Sequence, residues 1–104
     1  MDSFNDRCYS FLRKVPKGRI TTYKEIAKAL KTRAYQAVGN AMRNNPYAPE
    51  VPCHRVVKSD GSIGGFRGKK SGESVSEKIN MLKKEGIEFK GRKVKDFEKK
   101  LFKF

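Results

Sequence analysis

The sequence predicts a mainly α fold: a small helical bundle with helix-turn-helix, winged-helix-like, with a short β-hairpin as its wing. Three observations point there. Apolar residues recur at helical spacing in four separate segments, Gly, Pro and Asn punctuate those segments, and only short stretches have the β-branched, turn-flanked character of strands. At 104 residues the chain has room for one domain, so 1–104 reads as a single unit with a core large enough to fold without staples.

Phe4, Cys8, Phe11, Leu12 and Val15 repeat at helical spacing until Pro16-Lys17-Gly18 stops them, which predicts an amphipathic first helix with Cys8 as a packing residue. In Thr22-Tyr23-Lys24-Glu25 a Thr and a Glu three residues on satisfy each other's exposed amides, so a second helix starts there and continues through Ile26, Ala27 and Leu30. After the polar break Lys31-Thr32-Arg33, the series Ala34, Ala37, Val38, Ala41, Met42 predicts a third helix ended by Asn44-Asn45-Pro46. Its small residues permit close approach to a neighbour, and Gln36, Asn40 and Arg43 lie on its polar side. Two short helices with a tight connection have the outline of a helix-turn-helix, which a plain helical bundle shares.

Val51 to Val57 reads as a short extended piece leading through the Asp60-Gly61 turn into a hairpin. Gly64-Gly65-Phe66-Arg67-Gly68, with Lys69-Lys70, is a basic glycine-rich loop where bare backbone can approach a ligand and cations can meet phosphate. Ser74-Val75-Ser76-Glu77 reads as a second capping box, and Val75, Ile79 and Leu82 carry a helix to its Gly86 stop. From Ile87 to Phe104 the chain is a Lys-rich extension anchored by Phe89, Val94, Phe97, Leu101 and Phe102, read as a turn and a last helix.

Lys and Arg number 25 against 11 Asp and Glu, a formal charge of +14, which predicts an anionic partner with nucleic acid foremost. The plainer reading is a solvated Lys-rich surface of the kind found in heat-adapted proteins. No apolar run approaches the roughly 20 residues that cross a bilayer, and Met1-Asp2-Ser3-Phe4 lacks the basic start of a signal peptide. The expectation is an intracellular, cytoplasmic protein with no membrane partner, monomeric. Two cysteines and one histidine are too few for common four-ligand zinc sites, so no metal and no cofactor is expected.

Pro52-Cys53-His54-Arg55-Val56 sets a thiol beside the chain's single imidazole. Thiolate is the attacking species, and the surrounding Lys and Arg favour it. On an extended backbone neighbouring side chains point to opposite faces, so a water would have to relay the proton between Cys53 and His54. On residue types alone, a Cys next to a His is more often packing plus a surface imidazole.

The string Pro-Cys-His-Arg-Val resembles the active-site signature of the 6-O-alkylguanine-DNA alkyltransferases, the methylated-DNA-protein-cysteine methyltransferases. The resemblance runs from Phe4 to Gly86. Gly18-Arg19-Ile20-Thr21-Thr22-Tyr23 leads the first motif helix, Ala37-Val38-Gly39-Asn40-Ala41-Met42-Arg43-Asn44-Asn45-Pro46 is similar to the family's recognition helix and its end, and Glu85-Gly86 closes the last matching helix. It implies the catalytic domain of that family, starting directly at residue 1 without the additional N-terminal domain of most relatives, and repair of 6-O-alkylguanine in double-stranded DNA.

By position, the resemblance implies that Cys53 accepts the alkyl group irreversibly and that His54 acts as base through a water. Glu85 would orient the imidazole and stabilise its cationic form. Asn45 would tie the turn after the recognition helix to the active-site segment. Tyr23 would rotate the nucleotide out of the stack and protonate the departing base, and Lys78 would stabilise it. DNA contact would fall to Thr22, Tyr23, Ala34, Gln36, Ala37, Gly39, Asn40, Arg43 and Arg55. Met42, Val56, Phe66, Arg67 and Gly68 would line the substrate pocket. Two departures stand out: Gln36 occupies the place of the family's intercalating arginine, with Arg33 as a substitute, and Arg67 stands where a small hydroxyl residue is usual.

Two further readings compete. An alkyltransferase-like protein holds damaged guanine without accepting the group, but such proteins typically lack the motif cysteine that is present here. A plain winged-helix module would bind duplex DNA with no preference for lesions, even after Cys53→Ala.

Overall fold

A computed structural model describes residues 3–64 and 73–104. Phe66, Arg67 and Gly68, assigned above to the substrate pocket, lie outside the described residues, as do the basic pair Lys69-Lys70.

Helix α1 (Phe4–Leu12) begins at a reciprocal cap: Ser3 Oγ accepts from the Asp6 amide at 3.1 Å and the Ser3 amide donates to Asp6 Oδ2 at 3.3 Å. It buries Cys8, Tyr9 and Leu12. Two tight turns, Lys14 N–H to Phe11 O and Val15 N–H to Leu12 O, both 3.0 Å, carry the apolar spacing on to Val15, which is buried.

Strand β1 (Thr21–Thr22) runs straight into α2 (Tyr23–Ala29), with Thr22 as the cap: its hydroxyl accepts from the Glu25 amide at 3.1 Å. After a turn containing Lys31 at φ +57, α3 (Tyr35–Arg43) buries Val38, Ala41 and Met42. The helix-turn-helix expected from the sequence is therefore present, and α1 packs against both of its helices.

The described residues depart from the reading in the middle of the chain. Cys53–Arg55 forms a 3₁₀ turn rather than an extended piece, and only Val56–Val57 is strand, β2, paired in parallel with β1. The turn at Gly61 (φ +88) forms, but Ser62 bridges to Lys93 rather than closing a local hairpin. The hairpin lies in the C-terminal extension, as β3 (Phe89–Lys90) and β4 (Lys93–Val94) around Gly91-Arg92. Gly91 supplies φ +64, a conformation that two-residue hairpin turns reserve for glycine. Asp60-Gly61 was the stronger local signal, but tertiary pairing with Lys93 claimed its flank. Helix α4 (Glu73–Lys84) already includes Glu73, so Ser74 lies in its first turn and does not cap it.

Two apolar clusters lie either side of β2, because consecutive strand residues face opposite ways. Val56 joins Cys8, Leu12, Ile26, Val38 and Ala41; Val57 joins Ile20, Ile63, Leu82, Ile87 and Val94. The extension completes the second cluster and adds a further strand-like edge. Leu101 bridges in parallel to Ile20, the Ile20 amide donates to Lys100 O at 3.0 Å and the Phe102 amide to Ile20 O at 2.7 Å. Arg19 donates to Lys100 O and Leu101 O at 3.0 and 2.7 Å, and Thr21 Oγ to Phe102 O at 3.0 Å. Helix α5 (Phe97–Lys100) connects hairpin to edge.

Helix α4 ends in a Schellman motif: Ile87 N–H donates to Leu82 O and Gly86 N–H to Lys83 O, both 3.0 Å, with Gly86 at φ +92. Among the described residues no group beyond its chain neighbours lies within 4 Å of a Cβ built on Gly86, so the requirement for glycine there is conformational. Gly86→Ala is expected to lower stability by about 1–2 kcal/mol from backbone strain alone. Urea unfolding checks it, and an unchanged midpoint would show that the helix end relaxes without loss.

Candidate active site and nucleic-acid interface

Pro52 has no amide proton, and the next two free amides turn the chain back on itself. Cys53 N–H donates to Val51 O at 2.8 Å and Arg55 N–H to Pro52 O at 2.9 Å. This turn brings His54 and Arg55 together against the end of α4. The Schellman motif leaves Glu85 as the last residue before the reversal, facing them. His54 Nε2–H donates to Glu85 Oε2 at 3.0 Å. Arg55 clasps the same carboxylate at two points, Nε to Oε1 at 2.9 Å and Nη2 to Oε2 at 2.8 Å, while Nη1 donates to Val15 O at 2.9 Å.

Arg55 is therefore not the phosphate contact expected from the sequence. Its guanidinium is turned inward, with its side chain 15% exposed. The unread signal was a charged residue inside the apolar run Val51–Val57, which requires a buried partner. Thr22, also assigned to DNA, is buried with its hydroxyl committed to the α2 cap. Val56, assigned to the pocket, has no exposed surface and belongs to the core.

The electrostatics follow from burial and these contacts. Burial raises the Glu85 carboxyl, but hydrogen bonds from Arg55 and His54 outweigh it and hold the group below its ordinary range. Burial lowers His54; Glu85 opposes that, while Arg55 and Lys78 add to it, and the net displacement is downward from 6.5. The imidazole is thus neutral at neutral pH. With Nε2–H donated to the carboxylate, Nδ1 carries the basic lone pair.

Cys53 retains 8% exposure, whereas Cys8 has none and its thiol is pushed up to about 11 by burial. Both thiols are buried, but of the two only Cys53 keeps residual exposure and stands next to His54. Tyr23, the first residue of α2, packs against the cluster that holds Cys53. Burial raises its phenol, a negative charge on Cys53 would raise it further and Arg43 opposes, so Tyr23 is a proton donor at neutral pH. Lys78 has no exposed surface; Nζ donates to Ile63 O at 2.7 Å, and burial pulls its ammonium down to about 8 while Cys53 opposes. Asn45 Nδ2 donates to Val51 O at 2.8 Å and Asn45 Oδ1 accepts from Tyr47 N–H at 2.9 Å, linking the end of α3 to the segment before Cys53. Met42 is buried on the inner face of α3.

Gln36, Asn40 and Arg43 form an exposed polar face on α3, preceded by exposed Ala34 and flanked by half-buried Ala37 and Gly39. Among the described residues no group outside its own helix backbone and chain neighbours comes within 4 Å of a Cβ built on Gly39, so internal packing does not demand glycine at that place. Tyr23 packs on the cluster that holds Cys53, and the charge of Arg43 on α3 acts on its phenol. A surface cavity of about 460 Å³ lined by Tyr23, Lys24, Tyr35 and Ser59 lies beside them. Among the described residues no group of three or more His, Cys, Asp and Glu could hold a metal ion, and no helix is long and apolar enough to cross a membrane.

A helix-turn-helix followed by a turn that carries a cysteine and a carboxylate-bound histidine, with a half-buried phenol at the start of α2, defines the class as a DNA-binding domain. Residues 3–87 match the family model described as 6-O-methylguanine DNA methyltransferase, DNA binding domain, and the chain belongs to that family. Methylated-DNA–protein-cysteine methyltransferases of Thermococcus kodakarensis and Rattus norvegicus are 44% identical over 85 residues and 43% over 88, covering 81% and 83% of this chain but 45% and 40% of theirs. A bifunctional methyltransferase/endonuclease of Picrophilus torridus is 36% identical over 87 residues, 83% of this chain and 28% of its own. The chain thus spans about half or less of the length of these curated relatives.

Among solved structures, Schizosaccharomyces pombe Atl1 in complex with damaged DNA containing O6-carboxymethylguanine aligns over 100% of this chain and 98% of its own, with TM-score 0.78 and 29% identity. Mycobacterium tuberculosis OGT in complex with DNA aligns over 82% of this chain and 50% of its own, with TM-score 0.71 and 34% identity.

Asn45→Ala removes the bond to Val51 O and the Tyr47 turn together. A loss of roughly 1–2 kcal/mol in thermal or urea unfolding is expected. Unchanged stability would show that the link to Cys53 carries no load.

Proposed function

We propose that this chain repairs DNA by direct reversal, moving an alkyl group, methyl foremost, from 6-O-alkylguanine in double-stranded DNA to its own Cys53. In this reading the DNA-binding domain is also the catalytic one, a single unit over 1–104, and each molecule acts once. His54 Nδ1 takes the Cys53 proton through a water. The thiolate attacks the alkyl carbon, the S–C bond forms as the C–O bond breaks, and the electron pair leaves with guanine. Tyr23 supplies the proton to the departing base and is reprotonated from solvent; His54 returns its proton the same way. Lys78, whose buried ammonium donates to Ile63 O, would help carry negative charge on the departing base. The observation that supports this most directly is the 3.0 Å bond from His54 to Glu85 beside a partly open Cys53.

The guanine oxygen is inaccessible inside a duplex, so the nucleotide must be extruded, and Tyr23, at the start of α2 and packed on the cluster that holds Cys53, would perform that task. Ala34, Gln36, Ala37, Gly39, Asn40 and Arg43 would meet DNA, chiefly without reading sequence. The formal charge of +14 supplies phosphate attraction that falls steeply with salt. Phe66, Arg67 and Gly68 stay proposed for the alkyl pocket from sequence resemblance alone. A cytoplasmic monomer is the matching proposal for location and state.

The second reading, lesion binding without transfer, draws on the end-to-end alignment with Atl1. Cys53 favours transfer, and one experiment separates the two. Intact mass spectrometry after mixing with a duplex containing 6-O-methylguanine is expected to show one added methyl, mapped to Cys53 and absent in Cys53→Ala. Tight lesion binding with no mass gain would replace transfer by damage sensing. Binding indifferent to the lesion would leave only the plain DNA-binding module.

Gly39→Ala separates fold from interface on α3. The helix is expected to gain up to about 1 kcal/mol from the better helix former, while duplex affinity falls because the added methyl meets the DNA. Fluorescence anisotropy beside urea unfolding reads both, and unchanged affinity would place Gly39 away from the DNA.

A further inference from the structure

His54 and Arg55 are consecutive residues on one 3₁₀ turn, and both end on Glu85 Oε2, at 3.0 and 2.8 Å. A buried imidazole hydrogen-bonded to an unshared carboxylate tends to become imidazolium, since the charge is then compensated. An imidazolium cannot accept the thiol proton. Here the carboxylate is not unshared: Arg55 engages both its oxygens, and the guanidinium is held in place by Val15 O at 2.9 Å. The charged groups facing His54 are Arg55 from its own turn and Glu85 and Lys78 from α4 and its end. Two cations therefore oppose the single carboxylate.

We propose that Arg55 is a positioning residue of the Cys53, His54, Glu85 array: by clasping Glu85 at two points it consumes the carboxylate's charge, leaves it a hydrogen-bond acceptor, and so keeps His54 a neutral base. The effect of the clasp on His54 rests on the hydrogen-bond geometry and the charges around the imidazole; its importance for alkyl transfer rests on the function proposed above. A guanidinium suits the task because it stays charged at any pH the protein meets and its planar fork matches both oxygens. The Val15 contact extends the clasp to the turn after α1, where Gly18, at φ +89, comes within 3.4 Å of Glu85 O when given a Cβ. Arg55 is thus the strut between the first helix, the active-site turn and the end of α4.

His54 is the only histidine in the chain, so its ring protons titrate without overlap in proton NMR. In the intact protein its midpoint is expected below the ordinary imidazole value. In Arg55→Gln it is expected above that value, because Glu85 is released to the imidazole alone. Simple loosening of the site would bring the midpoint only to the ordinary value, and no movement would mean that the clasp is irrelevant; either result overturns the proposal. Should Arg55→Gln not fold, Arg55→Lys keeps the cation but gives up the fork. Its midpoint is expected above that of the intact protein, and an identical midpoint overturns the proposal. Single-turnover transfer from a 6-O-methylguanine duplex is expected to show its acid limb displaced to higher pH in step with the NMR midpoint. A uniform drop in rate with the limb unmoved would assign Arg55 a structural role only. Absence of transfer by the intact protein would defeat the proposed function, while the NMR comparison still judges the clasp.

Discussion

The Glu85 carboxylate is the contact on which the site depends. It stands just past the end of α4, and there the helix end and the 3₁₀ turn carrying Cys53, His54 and Arg55 meet through charge. A carboxylate so little exposed is unfavourable unless its oxygens are satisfied, and three charge-assisted or imidazole hydrogen bonds satisfy them. Loss of Arg55 would leave the carboxylate to the imidazole alone, and loss of Glu85 would leave the guanidinium without its ion pair, so the three side chains are one cooperative unit.

That unit needs the backbone on both sides to be fixed. On one side Gly86 ends α4 in a left-handed conformation, and Ile87 packs back into the cluster of Leu82 and Val94. On the other, Pro52 and the amide turns around Cys53 stop the apolar run from extending, while Asn45 fixes Val51 to the end of α3. The C-terminal extension supports the arrangement from behind. Its pairing with Arg19, Ile20 and Thr21 holds the strand that feeds Thr22 and Tyr23 into α2, so residues beyond the family match help set where the phenol stands.

The chemistry of the site reflects unequal environments for similar groups. Cys8 and Cys53 are both buried in the first cluster, but Cys8 has no exposed surface while Cys53 keeps a small residual exposure and stands next to His54. His54 is neutral because burial and two cations outweigh one carboxylate. On α3 the inner residues Val38, Ala41 and Met42 hold the helix to the core, which frees its outer face, including the bare Gly39, for a partner.

Local chemistry made much of this legible in sequence. Family resemblance rather than local pattern pointed to Asn45 and Glu85; helical spacing located α1 to α4, Thr22 marked the start of α2, Gly86 marked the end of α4, and Pro-Cys-His-Arg-Val set a thiol beside the imidazole. These signals lie within a few residues of the structure they specify, which is why they can be read along the chain. What only the tertiary structure decided came from contacts distant in sequence. Arg55 turns inward because Glu85 and Val15, 30 and 40 residues away, offer it partners. The hairpin forms at Gly91 because Ser62 pairs with Lys93, and the extension becomes an edge of the core because Ile20 accepts it. A sequence names which groups need partners; the fold determines which distant group meets each need, since that choice depends on chain packing that no local pattern encodes.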